Sequence, residues 1–474
     1  MDSNDFYKLL KTSFPFRPTL KQNIGLQQLS NFIFSTVANE LFVLKGYAGT
    51  GKTTIIGVLV KNLWNAQKTA VLLAPTGRAA KVISNYSKSE AFTIHKKIYA
   101  LRPEKNGKMT FVLSPNKHKK TLFIVDEASM ISDISNQDKL FGSGSLLDDL
   151  IQYVYSGQQC KLLLIGDTAQ LPPVKLDLSP ALNESNLELN YNKEVIRLEL
   201  DEVVRQGENS GILFNATHLR EAVSNSYFDS FQFNLKGFKD IVRLNDGYEI
   251  LDAINDAYST LGNEDTALIV RSNKRANLYN EQIRSRILFN ENELTAGDFL
   301  MIVKNNYFWL KPTSEAGFIA NGDIIEVLEI FSIKELYGFR FAEVKIRMVD
   351  YPKMLPFETV LMLDTIKLET PSLPYEESNK LYQEILKDFE DESSSYKKFL
   401  GVKKSKYLNS LQVKFSYAIT CHKSQGGQWN TVFVEQPYLP NGIDRDYLRW
   451  LYTAITRAKE KLYLIGFKDD YFED

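Results

Sequence analysis

The chain has 474 residues, of which 44% are hydrophobic and 24% charged, as in ordinary globular proteins of about two to four domains. Its formal net charge of −1 excludes a global attraction to nucleic acid or anionic membrane, although a local basic patch suffices for binding. The N-terminus lacks signal-peptide features, and no apolar run approaches about 18 residues. The two cysteines of the chain, Cys160 and Cys421, are far apart in sequence, so we expect no disulfide framework. We therefore expect a cytoplasmic protein with no membrane partner.

Short apolar runs that end in polar or glycine-containing loops recur through the first 175 residues. They are LFVL (41–44), AVLLA (70–74), LFIV (122–125) and KLLLI (161–165). Helix-like stretches follow the first two runs. Buried strands that alternate with helices predict a parallel α/β sheet covered by helices on both faces.

A phosphate-binding loop follows the first of these strands. GYAGTGKTT fits the pattern G-x-x-x-x-G-K-[ST] at Gly46, Gly51, Lys52 and Thr53, between a strand and a helix. Glycines allow backbone N–H groups to surround phosphates, and the helix N-terminus favours their charge. We expect Lys52 to reach the β- and γ-phosphates and the Thr53 hydroxyl to hold magnesium. The motif predicts ATP or GTP binding.

A basic segment lies between the second and third strands. Residues 96–120 are rich in Lys and Arg, Glu104 is their only acid, and Asn-Gly at 106–107 is typical of a hairpin turn. With Tyr99 and Phe111, such a hairpin could touch a nucleic-acid strand. A solvated surface hairpin is the alternative.

Acidic and amide side chains follow the next two strands. In LFIVDEASM, one carboxylate of Asp126 and Glu127 can bind magnesium while the other accepts the proton of attacking water. The alternative is a charge pair at a helix N-terminus. In LLLIGDTAQLPPV, Gln170 can orient that water or contact the γ-phosphate. Alone, Pro172 and Pro173 would indicate only a turn.

A second set of strands follows at 266–270, 431–435 and 462–466, which predicts a second α/β domain. It is interrupted by short strand candidates bounded by Gly, Asp and Asn, a pattern that favours a small antiparallel barrel. The acidic stretch 375–395 indicates an exposed helix and loop.

In chain order, GYAGTGKTT, DEAS and GDTAQLPPV resemble the superfamily 1 helicases, and within them the 5′→3′ branch that includes RecD-like helicases and the phage Dda helicase. The resemblance covers nearly the whole chain and is weakest across 291–410. It implies an α/β fold with two RecA-like P-loop domains, a basic hairpin inserted in the first and an SH3-like β-barrel in the second. The implied boundaries are 1–180 for the first domain, 96–120 for its hairpin, 181–290 plus 410–474 for the second domain, and 291–409 for the barrel with its acidic helical segment.

The resemblance also implies roles around ATP. Gln22, in PTLKQ, corresponds to an adenine-contacting glutamine, although Thr19 and Gln22 also fit a helix capping box. Arg205 and Arg457 correspond to arginines that reach the γ-phosphate, with Tyr452 nearby; a surface salt bridge is the alternative for either arginine. The predicted catalytic residues are Lys52, Glu127, Gln170, Arg205 and Arg457. The predicted nucleotide ligands are Gln22, Gly46, Ala48, Gly49, Thr50, Gly51, Lys52, Thr53, Thr54 and Asp126, with Thr53 and Asp126 holding Mg²⁺.

Three further segments resemble the parts of these helicases that hold single-stranded DNA: APTGRAA, FTIHKKIY and AITCHKSQGGQW. The predicted DNA contacts are Thr76, Arg78, His95, Thr420, His422 and Ser424. Gln425 and the two glycines after it would allow close backbone approach at the cleft between the domains. We expect Cys421 to be a packing residue, and the four histidines lack the spacing of metal ligands, which argues against a metal role for His422.

Together these features predict a monomeric ATP-dependent DNA translocase and helicase that uses ATP and Mg²⁺. Its 5′→3′ direction rests on the resemblance alone. Expected partners are single-stranded DNA, duplex junctions, and nuclease or replication and repair proteins. One alternative is a helicase subunit that acts only within a nuclease complex. Another is a nucleotide-switched DNA-binding scaffold, against which the second-domain arginines and the 418–429 segment argue.

Overall fold

The computed structural model describes residues 1–103, 109–134, 142–174, 176–202, 210–225, 231–311 and 313–473. Arg205 and the Asn-Gly turn at 106–107 therefore lie outside the described residues. No helix within these ranges is both long and apolar enough to cross a bilayer.

A six-stranded parallel sheet forms the centre of the first domain, in the order β3-β2-β6-β7-β1-β8. The strands of this domain are β1 (Glu40–Gly46), β2 (Thr69–Ala74), β3 (Ala91–Thr93), β4 (Tyr99–Pro103), β5 (Met109–Leu113), β6 (Thr121–Val125), β7 (Lys161–Gly166) and β8 (Glu194–Leu200). The helices are α1 (Ser3–Ser13), α2 (Leu20–Phe34), α3 (Lys52–Asn62), α4 (Gly77–Ser87), α5 (Ile94–Ile98), α6 (Leu146–Tyr155) and α7 (Glu184–Tyr191).

Both faces of this sheet are buried, because successive side chains of a strand point to opposite faces. In β1, Phe42 and Leu44 join the core formed with α1, α2 and α3, whereas Leu41 and Val43 join the core formed with α5 and α6. The continuous apolar runs of the sequence are thus explained by helices on both faces. All six strands are parallel, so their carboxyl ends meet at one edge, where β1, β6 and β7 place their polar loops.

The second domain contains a five-stranded parallel sheet in the order β16-β10-β17-β18-β9. Its strands are β9 (Ile241–Leu244), β10 (Thr266–Val270), β16 (Ala418–Thr420), β17 (Trp429–Glu435) and β18 (Ala458–Ile465). Its helices are α8 (Gly211–Ser224), α9 (Gly247–Leu261), α10 (Asn273–Gln282), α13 (Cys421–Ser424) and α14 (Arg445–Ile455).

A closed five-stranded barrel is inserted between α10 and β16. Its strands are β11 (Phe299–Ile302), β12 (Ile324–Leu336), β13 (Phe339–Met348), β14 (Phe357–Met362) and β15 (Leu411–Phe415), and the helices α11 (Tyr375–Lys387) and α12 (Ser395–Lys404) precede its last strand. The fold class predicted from the sequence, two α/β domains with an inserted barrel, is confirmed. Four of the five strand pairings in the barrel are antiparallel, as expected, whereas β14 and β15 are parallel.

A buried ion pair anchors the barrel to the second domain. Arg284 donates from Nε and Nη2 to the two carboxylate oxygens of Asp298, at 2.9 and 2.8 Å. The Tyr417 hydroxyl donates to the same carboxylate at 3.0 Å. Arg284 and Asp298 precede the first barrel strand, and Tyr417 follows the last one. These hydrogen bonds therefore hold the two ends of the inserted segment together at one point of the second domain.

Two of the expected domain boundaries are wrong. β8 (194–200) pairs with β1 along its whole length, so the first domain extends past residue 180 to residue 200. β15 (411–415) pairs with β11 and β14, so the barrel extends past residue 409 to residue 415. In both cases the strand pairs with a segment distant in sequence.

The basic segment forms the antiparallel ribbon of β4 and β5. The Phe111 ring lies 4.6 Å from the Tyr307 ring and 6.3 Å from the Phe318 ring, both from the barrel. Therefore the ribbon packs against the barrel through aromatic side chains. The Tyr99 hydroxyl donates to Asp149 at 2.7 Å, which joins the ribbon to α6.

Candidate nucleotide and nucleic-acid site

A cavity of about 580 Å³ lies between the two α/β domains at the carboxyl edge of the first sheet. All the predicted nucleotide ligands except Gly46 and Thr50 line it, together with Glu127 and Gln170. The second domain contributes residues near α8, β17 and β18. The members from that side are Ser210, Ile212, Leu213, Gln428, Thr456, Arg457, Ala458 and Lys459. A ligand in this cavity would touch both domains.

The phosphate loop runs from β1 into α3. Gly49 and Gly51 have φ values of +76° and +88°, which favour glycine, and Gly51 is the N-cap of α3. The Lys52 ammonium donates to the carbonyls of Gly46 and Tyr47, the latter at 2.8 Å. The loop thus presents an ammonium group and a helix N-terminus to the cavity, which is the arrangement that binds phosphates.

Gln22 forms the helix cap that the sequence predicts, and its contact with adenine stays a prediction. Its Oε1 accepts from the Thr19 N–H at 3.0 Å and its own N–H donates to Thr19 Oγ1, which completes the capping box of α2. Its Nε2 donates to the Thr50 carbonyl at 2.9 Å, so the side chain also contacts the phosphate loop. Phe14, Phe16 and Arg17 line the cavity beside it. No sequence motif marked these three residues.

Asp126 and Glu127 follow β6 directly. Asp126 accepts from the Tyr86 hydroxyl at 2.7 Å and from the Glu127 N–H at 2.9 Å. Burial raises the pKa of Glu127 above its usual range, while the charge of Arg457 opposes that rise. Thr53 and Asp126 line the same cavity, and a hydroxyl with a carboxylate is a donor set suited to Mg²⁺.

Arg457 enters the cavity from the second domain. It is 3% exposed, and its Nη1 lies 3.9 Å from Glu127 Oε1. Hydrogen bonds from its guanidinium to the carbonyls of Thr453 and Gly427, at 3.0 and 3.3 Å, fix its orientation. A buried cation is therefore held beside the candidate catalytic carboxylate.

The loop after β7 is held by the second domain. Leu171 N–H donates to Thr453 Oγ1 at 2.9 Å, and the Leu171 carbonyl accepts from Gln425 Nε2 at 2.7 Å. Its neighbour Gln170 is buried, and Gln170 Oε1 has no hydrogen-bond partner among the described residues. This amide oxygen can therefore accept a hydrogen bond at the cavity wall.

The segments that resemble DNA contacts meet on another side of the domain interface. Gly426 has φ +73°, and a Cβ built on it would lie 2.8 Å from Ala79 Cβ and 3.1 Å from Thr76 Oγ1. The Arg78 guanidinium lies 4.0 Å from the Trp429 ring centroid. Thr76 caps α4 by accepting from the Ala79 N–H at 3.2 Å. The two glycines of AITCHKSQGGQW thus permit close contact with α4.

The predicted contacts in α13 differ in accessibility. His422 is exposed, and Thr420 is partly buried at the helix N-cap. Ser424 stays a predicted DNA contact, although its side chain is fully buried and its hydroxyl donates to the Cys421 carbonyl at 2.7 Å. Burial raises the pKa of the Cys421 thiol to about 12, as expected of a packing residue. The Lys423 ammonium donates to Asn321 Oδ1 of the barrel.

His95 lies apart from α13, in the aromatic contact between the ribbon and the barrel. Its ring centroid is 5.8 Å from that of Tyr99 and 6.5 Å from that of Phe318. Burial lowers the pKa of His95 to about 4, so the imidazole is neutral at physiological pH. Any contact with DNA would use a neutral ring.

Two α/β domains that share one nucleotide-type cavity, with an arginine supplied across it, define a two-domain P-loop motor. A family model described as an AAA domain matches residues 30–231, and one described as a UvrD-like helicase C-terminal domain matches residues 415–465. The chain belongs to the superfamily 1 helicases, in the 5′→3′ branch. The family expected from the sequence is confirmed.

Individual relatives extend over nearly the whole chain. An uncharacterized protein of Acanthamoeba polyphaga mimivirus is 23% identical over 93% of this chain and 98% of its own length. The ATP-dependent DNA helicase dda of Enterobacteria phage T4 is 25% identical over 89% of this chain and 93% of its own. The structure of a Pif1 helicase from Bacteroides with ADP-AlF3 and single-stranded DNA is 15% identical, with a TM-score of 0.45, over 97% of this chain and 95% of its own.

Proposed function

We propose that this protein is an ATP-dependent DNA helicase that moves along single-stranded DNA in the 5′→3′ direction. The observation that carries the proposal is the approach of Arg457, from the second domain, to Glu127 in the first. A nucleotide bound between them would link the positions of the two domains to hydrolysis. The helicase dda, which is similar over most of both chains, supports DNA as the substrate.

In this proposal Glu127 accepts the proton of the attacking water. The Lys52 ammonium leaves the carbonyls of Gly46 and Tyr47 for phosphate oxygens, and Arg457 stabilises the charge that develops on the γ-phosphate. Gln170 orients the water with its unsatisfied amide oxygen. Thr53 and Asp126 would hold Mg²⁺, which would supply positive charge against the phosphates.

The DNA strand would cross both α/β domains on the side where α4 meets the 424–427 turn. Thr76 and Arg78 lie on the first-domain side, and Thr420 and His422 on the second. Gln425, which follows Thr420 and His422 at the end of α13, also bonds to Leu171 beside Gln170. This turn and its hydrogen bond to Leu171 therefore offer a short path between the proposed DNA contacts and the nucleotide cavity.

Strand separation on tailed duplexes tests activity and direction together. A duplex with only a 5′ single-stranded tail should be unwound in an ATP-dependent reaction, and one with only a 3′ tail should not. ATP hydrolysis measured with and without single-stranded DNA provides the complementary readout. Absence of DNA stimulation would refute translocation and favour a nucleotide-switched scaffold. Unwinding of the 3′-tailed duplex alone would refute the direction.

We further propose that the chain acts as a monomer at single-strand to duplex junctions. Sedimentation of the protein on such a junction, at concentrations that give full unwinding, tests this directly. A stoichiometry of two chains per junction would contradict it.

A further inference from the structure

The Tyr452 hydroxyl joins the two domains at the phosphate loop. Tyr452 lies in α14 of the second domain and is 1% exposed. Its hydroxyl donates to Asp167 Oδ2 at 2.6 Å and accepts from the Ala48 N–H at 3.0 Å. One side chain of the second domain therefore bonds at once to the phosphate loop and to the loop after β7.

Both first-domain partners depend on this hydroxyl. Asp167 is 1% exposed, and its other oxygen accepts from the Ala169 N–H at 2.9 Å. Burial, with the charge of Asp167, raises the pKa of Tyr452 well above its ordinary value, so the hydroxyl remains protonated and continues to donate. Without it, a buried carboxylate oxygen and a backbone N–H would each lose a partner, which is costly inside a protein.

The same α14 segment holds the rest of that loop. Thr453, the next residue, accepts from the Leu171 N–H. Gln425, from the turn after α13, donates to the Leu171 carbonyl. Second-domain side chains thus bond to both ends of the 167–171 loop, and Gln170 lies between the bonded positions.

We infer that Tyr452 is a positioning residue that locks the phosphate loop and the 167–171 loop into one arrangement when the two domains close. In this role, which rests on the helicase function proposed above, Tyr452 makes no contact with the reacting atoms. Its hydroxyl fixes Asp167, and Asp167 fixes the loop that presents Gln170 to the cavity. Domain closure thereby fixes the position of Gln170, the side chain proposed to orient the water.

Tyr452→Phe removes the hydroxyl and keeps the ring. The matched control is Tyr447→Phe in the same helix, because the buried Tyr447 hydroxyl donates to Gln436 at 2.5 Å inside the second domain. In single-strand-saturated ATPase assays, Tyr452→Phe should lower kcat roughly 10-fold or more while KM for ATP changes less than about 3-fold. It should also reduce the change in DNA affinity that a non-hydrolysable ATP analogue causes. Tyr447→Phe should retain wild-type values of both.

Three outcomes decide the inference. Wild-type kcat and wild-type nucleotide dependence of DNA affinity in Tyr452→Phe would overturn it, as would equal losses in Tyr447→Phe. If Tyr452→Phe does not fold, Thr453→Val, which removes the acceptor for Leu171 N–H, should lower kcat in the same way, and unchanged kcat there would overturn it. Failure of the wild-type protein to respond to DNA would instead refute the proposed function.

Discussion

Arg457 Nη1 lies 3.9 Å from Glu127 Oε1, although the two residues belong to different domains and are 330 positions apart in sequence. The contact places a cation beside a carboxylate whose pKa is raised by burial. The charge of Arg457 therefore favours the ionised form of Glu127. Both can be tested separately, since one is proposed as a base and the other as a source of transition-state charge.

Glu127→Gln should abolish turnover and leave nucleotide binding intact. The substitution keeps the size of the side chain and removes its capacity to accept a proton, a contribution of about 10²–10⁴-fold in rate. Single-turnover hydrolysis and equilibrium binding of a fluorescent ATP analogue measure the two properties separately. Hydrolysis at the wild-type rate would remove Glu127 as the base.

Substitution of Arg457 should shift the pH dependence of ATP turnover. A raised Glu127 pKa means that the carboxyl is protonated at low pH and cannot act as base, so turnover should increase with pH through that pKa. Arg457 opposes the rise, and Arg457→Ala should move the acidic limb of the residual rate to higher pH. Its maximal rate should fall by about 10³-fold or more. Arg457→Lys, which retains the charge, should shift the limb less; equal shifts in both variants would contradict the assignment.

Motifs that are local in sequence allowed the nucleotide side of the site to be predicted. The phosphate loop and the carboxylates after β6 each occupy a few consecutive residues, and the structure places them around one cavity. Arg457 was expected only through resemblance, because its contact with Glu127 depends on how two domains close. The role of Arg205 stays a prediction.

Contacts between distant segments explain what the sequence did not reveal. The pairing of β8 with β1 and the closure of the barrel by β15 leave no local signal, so both boundaries were misplaced. Ser424 is polar and lies among predicted DNA contacts, yet the turn of α13 directs its hydroxyl inward. The Tyr452 bonds could not be predicted either, since neither Ala48 nor Asp167 carries a motif for a phenol.

Gly426→Ala should weaken the stimulation of ATP hydrolysis by single-stranded DNA. An added Cβ would lie 2.8 Å from Ala79 Cβ, so the turn and α4 would have to separate. Gly442→Ala is the matched control, because Gly442 has φ +80° and no atom lies within 4 Å of the added Cβ. Both variants bear a left-handed backbone cost of about 1–2 kcal/mol. A parallel loss of stimulation in both would attribute the effect to strain rather than to the contact.

Arg78 can contact a DNA phosphate or stack on Trp429, and the salt dependence of DNA binding distinguishes these two roles. A phosphate contact would contribute to the salt dependence of single-strand binding, with a slope change of about 0.7 per neutralised phosphate. Stacking on Trp429 contributes about 0.5–2 kcal/mol to the domain interface and nothing to that slope. We expect Arg78→Ala to reduce the slope and Arg78→Lys to preserve it. An unchanged slope in Arg78→Ala would show that Arg78 serves the interface alone.

Gln22→Ala should weaken nucleotide binding through the phosphate loop. The change removes the bond from Gln22 Nε2 to the Thr50 carbonyl as well as the capping box, whereas Thr19→Ala removes mainly the cap. Loss of a cap costs about 0.5–2 kcal/mol of stability, so both variants should unfold at lower temperature. Only Gln22→Ala should also raise the Kd for ATP, by roughly 5-fold or more for one lost buried hydrogen bond. If Thr19→Ala raises the Kd equally, the helix start rather than the Thr50 contact controls affinity.

The same variants also test whether Gln22 contacts the base of the nucleotide. A base contact would alter the ratio of the Kd for ATP to the Kd for GTP, so both constants should be measured.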